Sequence, residues 1–269
     1  MATLIDLGEC RTACTVTGSG PALLLMHGAE GNHHMFDALV ELLAPHFTVI
    51  AYDQRDCGET ENPPRQVSLL DLAQDASALI TALGHHKVHV YGTSFGGRLA
   101  QALAHQRPQA IDKLVLGSTW ALPDALAELN GPAVREIQAL RSRLPDSAEA
   151  LAEYFLPAAH LQAHSELKGI FRNAQPHSER SERRQQAVGE CPPLQPADLR
   201  VPTLVMAGEL DRVVPPHLTL AMAAAIPGAR ALLLPGVGHA AAIQAPELVA
   251  AHLIEFCAPG AFPFSEARP

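Results

Sequence analysis

Val88-His89-Val90-Tyr91-Gly92-Thr93-Ser94-Phe95-Gly96-Gly97 decides the fold. Val88–Tyr91 is β-branched and aromatic and reads as a strand, whereas Phe95–Gln106 has the apolar spacing of a helix. Ser94 stands at the turn between them, with Gly92 two positions before it and Gly96 two after. A serine on so sharp a turn crowds the backbone on both sides, and glycine at the −2 and +2 positions removes the Cβ atoms that would clash. Its hydroxyl then projects above the strand ends, where the free N–H groups of the helix start point at it. G-x-S-x-G in a strand–turn–helix context makes Ser94 the candidate nucleophile. The alternative is a tight β–α turn whose serine has no chemical consequence.

Outward from this turn the chain keeps one rhythm. Arg11–Val16 reads as an edge strand, Thr17–Pro21 as a turn, and Ala22–Met26 as a continuous apolar strand buried on both faces. A helix near Met35–Leu43, the strand Phe47–Tyr52, an amphipathic helix Leu69–Leu83 ending at Gly84, and the strand Lys113–Gly117 complete the first part. Strands alternating with helices predict a parallel sheet with helices on both faces. From Leu122 to Pro196 no strand is legible; the segment is helix-like, broken by prolines from Pro123 to Pro193, and rich in arginine, including Arg180, Arg183 and Arg184. The rhythm resumes with the strand Thr203–Ala207, a helix about His217–Ile226, the strand Ala231–Leu234 and a helix about Pro246–Phe256. The expected organisation is a core over residues 1–119 and 197–269, interrupted by a helical insertion over 120–196, with a loosely held tail after Pro259.

A serine hydroxyl needs a base, and the base needs an orienting acid. The strand Thr203–Ala207 is followed by Gly208-Glu209-Leu210-Asp211, and the strand ending at Leu234 by Pro235-Gly236-Val237-Gly238-His239. Both loops lie at the C-terminal ends of strands, where sites gather in open α/β sheets. Asp211 is the candidate acid, with Glu209 as competitor, and His239 the candidate base. The order Ser94, Asp211, His239 is one of the known chain orders of such a triad. Acyl transfer also requires N–H donors for the oxyanion. The Phe95 N–H is one candidate; the Ala29 N–H, in the loop His27-Gly28-Ala29-Glu30-Gly31, is the other. His27 reads as a brace for that loop.

Together, His27-Gly28, Asp53-Gln54-Arg55 with Gly58, Gly92-x-Ser94-x-Gly96-Gly97, Gly208-x-x-Asp211 and Gly238-His239 resemble the α/β-hydrolase superfamily, over nearly all of the chain outside the insertion. The resemblance implies an α/β-hydrolase fold, with a mostly parallel eight-stranded sheet, helices on both faces, and the insertion as a helical cap. Relatives commonly read Asp-x-Arg-Gly-x-Gly-x-Ser after the fourth strand; here Asp56 replaces the first glycine, which bears on the local turn. The Asp53-Gln54-Arg55 wording and Gly117-Ser118-Thr119 are similar to 3-oxoadipate enol-lactonases, carboxylesterases and proline iminopeptidases of the superfamily. The expected function is a serine hydrolase cleaving an ester or lactone of a small organic substrate. The alternatives are a C–C hydrolase or lyase, an aminopeptidase, or a non-catalytic ligand-binding protein. Glu30, Arg98 and Trp120 are candidate substrate contacts. An arginine also follows the elbow in related lyases of the menaquinone pathway; alternatively, Arg98 lies on the helix surface and pairs with a carboxylate such as Asp75.

Composition narrows the partners. The chain has 269 residues, 48% of them hydrophobic and 17% charged, enough for a real core. Its formal charge of −9 and lack of a basic stripe argue against nucleic acid or an anionic membrane. No apolar run approaches the length of a membrane span, and the first residues have neither the basic nor the apolar region of a secretory leader. Five cysteines without CxxC spacing read as reduced thiols in a cytoplasm. His85-His86-Lys87-Val88-His89 matches no standard zinc spacing, and His33-His34 near the oxyanion loop could touch substrate. The expectation is a cytoplasmic monomer or homodimer that takes a small-molecule substrate and needs no cofactor and no metal.

Overall fold

The computed structural model describes residues 2–29, 31–172 and 178–258. Among these, a single eight-stranded sheet contains β1 (Thr3–Asp6), β2 (Arg11–Thr17), β3 (Ala22–Met26), β4 (Thr48–Tyr52), β5 (Val88–Thr93), β6 (Ile111–Gly117), β7 (Thr203–Gly208) and β8 (Arg230–Leu234). Their spatial order is β1-β2-β4-β3-β5-β6-β7-β8. β1 and β2 pair antiparallel to their neighbours, and every pairing from β4–β3 to β7–β8 is parallel. The expected fold class is therefore present.

The continuous apolar strands serve two cores at once. Leu24, Met26, Val90, Leu114 and Leu116 face a cluster built with α2 (Leu69–Ala82) and α3 (Phe95–Gln106). Leu23, Leu25, Tyr91, Val115 and Met206 face the other side, packed with α1 (Asp37–Leu43) and, near the C-terminal end, α12 (Pro246–Cys257). The period-2 alternation of a strand sends successive side chains to opposite faces. A buried leucine contributes roughly 1.5–3 kcal/mol, which is why runs such as Leu23-Leu24-Leu25 specify a doubly covered sheet.

Between β6 and β7 lie α4 (Leu126–Leu129), α5 (Gly131–Arg141), α6 (Ala148–Phe155), α7 (Ala158–Ala163), α8 (Lys168–Arg172) and α9 (Glu179–Gly189), with no strand among the described residues. Ile137, Leu140 and Leu151 from this segment bury themselves with Trp120 and with Val213 and Val214 of the loop after β7. The connection back to β8 is α10 (Pro216–Ala225), and α11 (Ala241–Gln244) precedes α12.

Beyond shifts of one or two residues at other element ends, three differences from the sequence expectations stand out. β1 was not anticipated: it is a four-residue edge strand with no fully buried position, so it carries no apolar signal. The helix expected from Met35 is a 3-10 turn, His33–Phe36, running into α1; the Asn32 side chain accepts from the His34 N–H and tightens its start. β6 begins two residues earlier than expected, at Ile111. The expected loose tail after Pro259 lies outside the described residues.

Candidate active site

Ser94 sits between β5 and α3 with φ 55° and ψ −124°, a left-handed conformation rare for an L-residue. The flanking glycines are required. A Cβ on Gly92 would lie 2.2 Å from the Gly96 carbonyl oxygen, and one on Gly96 would lie 2.1 Å from that of Met26. A Cβ on Gly97 would meet the Thr119 side chain at 2.6 Å. The turn is held by Ser94 N–H donating to the Gly117 carbonyl (2.9 Å) and by the Thr119 hydroxyl donating to the Ser94 carbonyl (2.7 Å).

The loop after β3 lies directly over this turn. A Cβ on Gly28 would be 3.5 Å from Ser94 Cβ and 3.8 Å from its Oγ. Phe95 opens α3, so its N–H has no intrahelical acceptor. His27 does brace the loop. The Gln54 N–H donates to its Nε2 (3.2 Å), so the proton sits on Nδ1 and is donated to the Gly28 carbonyl (2.7 Å). Burial, and then the nearby Arg184 charge, lower its pKa to about 3, so the ring stays neutral. Glu30 lies outside the described residues.

Asp211 and His239 come together. His239 Nδ1 lies 2.8 Å from Asp211 Oδ2 and 3.0 Å from Oδ1, and both residues are buried. Asp211 Oδ1 also accepts the Val213 and Val214 N–H groups, each at 2.9 Å, which fixes the carboxylate. With an acceptor opposite Nδ1, the ring proton sits there and Nε2 is left bare. Phe155 of α6 meets His239 edge-on, ring centroids 5.6 Å apart. Glu209, the competing acid, is turned away; it accepts the Gly236 N–H at 2.8 Å.

Two candidate substrate contacts, Arg98 and Trp120, are buried in contacts within the protein. Arg98 is fully buried, and its two terminal nitrogens donate to the Val188 carbonyl (2.9 Å) and the Leu122 carbonyl (2.5 Å). Burial lowers its pKa. Trp120 stacks against that guanidinium at 5.0 Å and gives its Nε1–H to the Asp124 carbonyl. Both side chains fasten the inter-strand helices to α3 through these contacts. Nor does Arg98 pair with Asp75, which holds Arg55 in a two-pronged ion pair at 2.5 and 2.8 Å.

Arg184 of α9 was passed over among the insertion's arginines. It is buried; its Nε donates to the Ala29 carbonyl (2.8 Å), one terminal nitrogen donates to Gln54 Oε1, and its guanidinium lies 4.4 Å over the Phe95 ring. Its other terminal nitrogen has no hydrogen-bond partner among the described residues. The available signal was its spacing: Arg184 and Ala187, three apart, are the buried face of a helix otherwise polar. Asp56, at the departure from the superfamily pattern, takes φ 61° itself. Aspartate tolerates that region, and here its carboxylate pairs with Arg183 at 2.6 Å while its N–H donates to Asn62 Oδ1.

No helix among the described residues is long and apolar enough to cross a membrane. The thermophilic esterase of Thermogutta terrifontis superposes with a TM-score of 0.80 at 28% identity, over 95% of this chain and 97% of that one. An enol-lactonase from Burkholderia xenovorans, at 21% identity and TM-score 0.80, shares the fold. Among curated proteins, the 2-(acetamidomethylene)succinate hydrolase of Mesorhizobium japonicum is 26% identical over 262 residues, 94% of this chain and 93% of that protein. A fluoroacetate dehalogenase from Burkholderia is 35% identical over 118 residues; the match spans 42% of this chain and only 39% of the dehalogenase. The model of the TAP-like protein family matches residues 173–268. That of the alpha/beta hydrolase fold matches residues 21–168, from β3 through the elbow and into the inter-strand helices. With elbow, sheet order and sequence in agreement, the chain belongs to the α/β hydrolase family, a family of hydrolases.

Proposed function

We propose that the protein is a serine hydrolase that cleaves a carboxylic ester or lactone of a small organic substrate. The observation that carries this reading is the His239–Asp211 pair on the loops after β8 and β7, at the same sheet edge as Ser94 in its left-handed turn. Ser94 Oγ attacks the acyl carbon while its proton passes to His239 Nε2. Asp211 holds the ring and stabilises the imidazolium. The Phe95 and Ala29 N–H groups receive the oxyanion. The C–O bond then breaks, the leaving oxygen takes the proton from His239, and water releases the acid from the acyl-enzyme by the same base. Similarity to an esterase over nearly the whole chain supports the ester bond as target.

The helices between β6 and β7 act in this reading as a cap that selects substrate. Phe155 against His239 and Arg184 against the Ala29 loop bring that segment to both sides of the reacting centre. The unpartnered nitrogen of Arg184 favours substrates with a negatively charged end. The experiment is a panel of aryl esters, lactones and peptide amides with wild type and Ser94→Ala. Ester and lactone turnover should fall by several orders of magnitude in the variant while its circular dichroism is unchanged. A variant keeping more than about a tenth of wild-type turnover contradicts Ser94 as nucleophile.

A further inference from the structure

Away from Ser94, the 3-10 turn at His33–Phe36 and the loop after β4 meet over one buried carboxylate. Asp53 Oδ1 accepts both the His33 N–H (2.7 Å) and His33 Nδ1 (2.8 Å), and its Oδ2 accepts the Glu59 N–H (2.7 Å). His34, next in the chain, places its own Nδ1 3.0 Å from Asp37 Oδ2. The two imidazole rings lie face to face, centroids 4.0 Å apart and tilted by 35°. His33, His34 and Glu59 each bring one ligand atom within 4.8 Å of the other two.

We propose that His33, His34 and Glu59 form a binding site for a divalent transition-metal ion of the zinc class. Three features point that way. Each ring has Nδ1 engaged by a carboxylate, which fixes its orientation and leaves Nε2 to offer; this carboxylate–histidine arrangement is what metal-binding histidines need behind them. Neither Nε2 nor the Glu59 carboxylate has a hydrogen-bond or ion-pair partner among the described residues. Finally, Asp53 sets both halves of the site at once, because its two oxygens hold the His33 ring and the Glu59 backbone.

Two imidazoles and a carboxylate suit zinc, cobalt, nickel or copper, whereas magnesium and calcium call for oxygen ligands throughout. Around a tetrahedral zinc, two nitrogens sit about 3.4 Å apart, from a Zn–N length of ~2.0–2.1 Å. The remaining positions on the ion are left to water. Such an ion ties the turn that follows the Ala29 loop to the loop that follows β4.

The test is calorimetric titration of the full chain, stripped with chelator, with zinc chloride. Wild type should take up one high-affinity zinc, and its melting temperature should rise with the metal. His34→Ala and Glu59→Gln, exposed changes that leave Asp53 untouched, should each weaken that binding at least tenfold and abolish the thermal shift. The double variant His160→Ala/His164→Ala removes another stacked histidine pair, 4.4 Å between centroids, and should bind as wild type does. No zinc binding by wild type, or equal binding by wild type and His34→Ala, overturns the proposal.

Discussion

Gly96 has no room for a single added carbon, and this is the residue-scale reason the elbow can exist. Its hydrogen faces the Met26 carbonyl oxygen so closely that a methyl group would sit 2.1 Å away, against backbone that cannot rotate aside. We expect Gly96→Ala to lose about 3 kcal/mol or more of stability, measured by denaturant titration, with activity falling as Ser94 is displaced. His27 yields the pH prediction. Its pKa falls from 6.5 to about 3 on folding, so between those values the unfolded chain binds a proton that the folded chain refuses. The stability tied to the neutral ring is complete above pH ~6.5 and drains away as the pH falls toward 3, by about 1.4 kcal/mol per pH unit. His27→Gln should therefore show a shallower loss of stability on acidification than wild type; parallel acid limbs for the two proteins would count against it. The turn at Ser94 was legible because glycine spacing is local, and the Asp211 and His239 loops because each follows an apolar strand. Arg98 was not, because whether an arginine meets a substrate or two main-chain carbonyls depends on residues 24 and 90 positions away.

Whole elements repeat that division. α3 and β3 lie where their spacing put them, since a buried strand and an amphipathic helix carry their own signal. β1 escaped notice because an edge strand with half-exposed residues reads like a loop. In α9 the polar sequence concealed one buried arginine. Arg184 donates to the Ala29 carbonyl and has one buried nitrogen without a hydrogen-bond partner among the described residues, the group that the proposed function offers to a substrate carboxylate. Arg184→Met should reduce kcat/KM for esters bearing a carboxylate about tenfold or more relative to neutral esters of the same shape, a charged hydrogen bond being worth roughly 1.5–3 kcal/mol. Equal losses for both would assign Arg184 to loop support alone.

At the scale of the molecule, the inter-strand helices leave from β6 and return to β7, which are hydrogen-bonded neighbours. A short Gly-Ser linker can therefore replace them without changing strand order. The truncated protein should keep its sheet but lose stability, because Arg98 loses the Val188 carbonyl and Trp120 loses Ile137, Leu140 and Leu151. Its order of preference over the ester panel should change; an unchanged order would mean that these helices do not select substrate. The sheet order has a further consequence. Among the described residues β8 is the outermost strand, paired with β7 alone, and the loop that follows it carries His239. During synthesis the strand that leads into Ser94 emerges well before the strand that leads into His239, the base of the proposed mechanism. In the proposed mechanism the Ser94 hydroxyl of a nascent chain therefore stays inert until β8 has joined β7 and brought His239 to the same sheet edge.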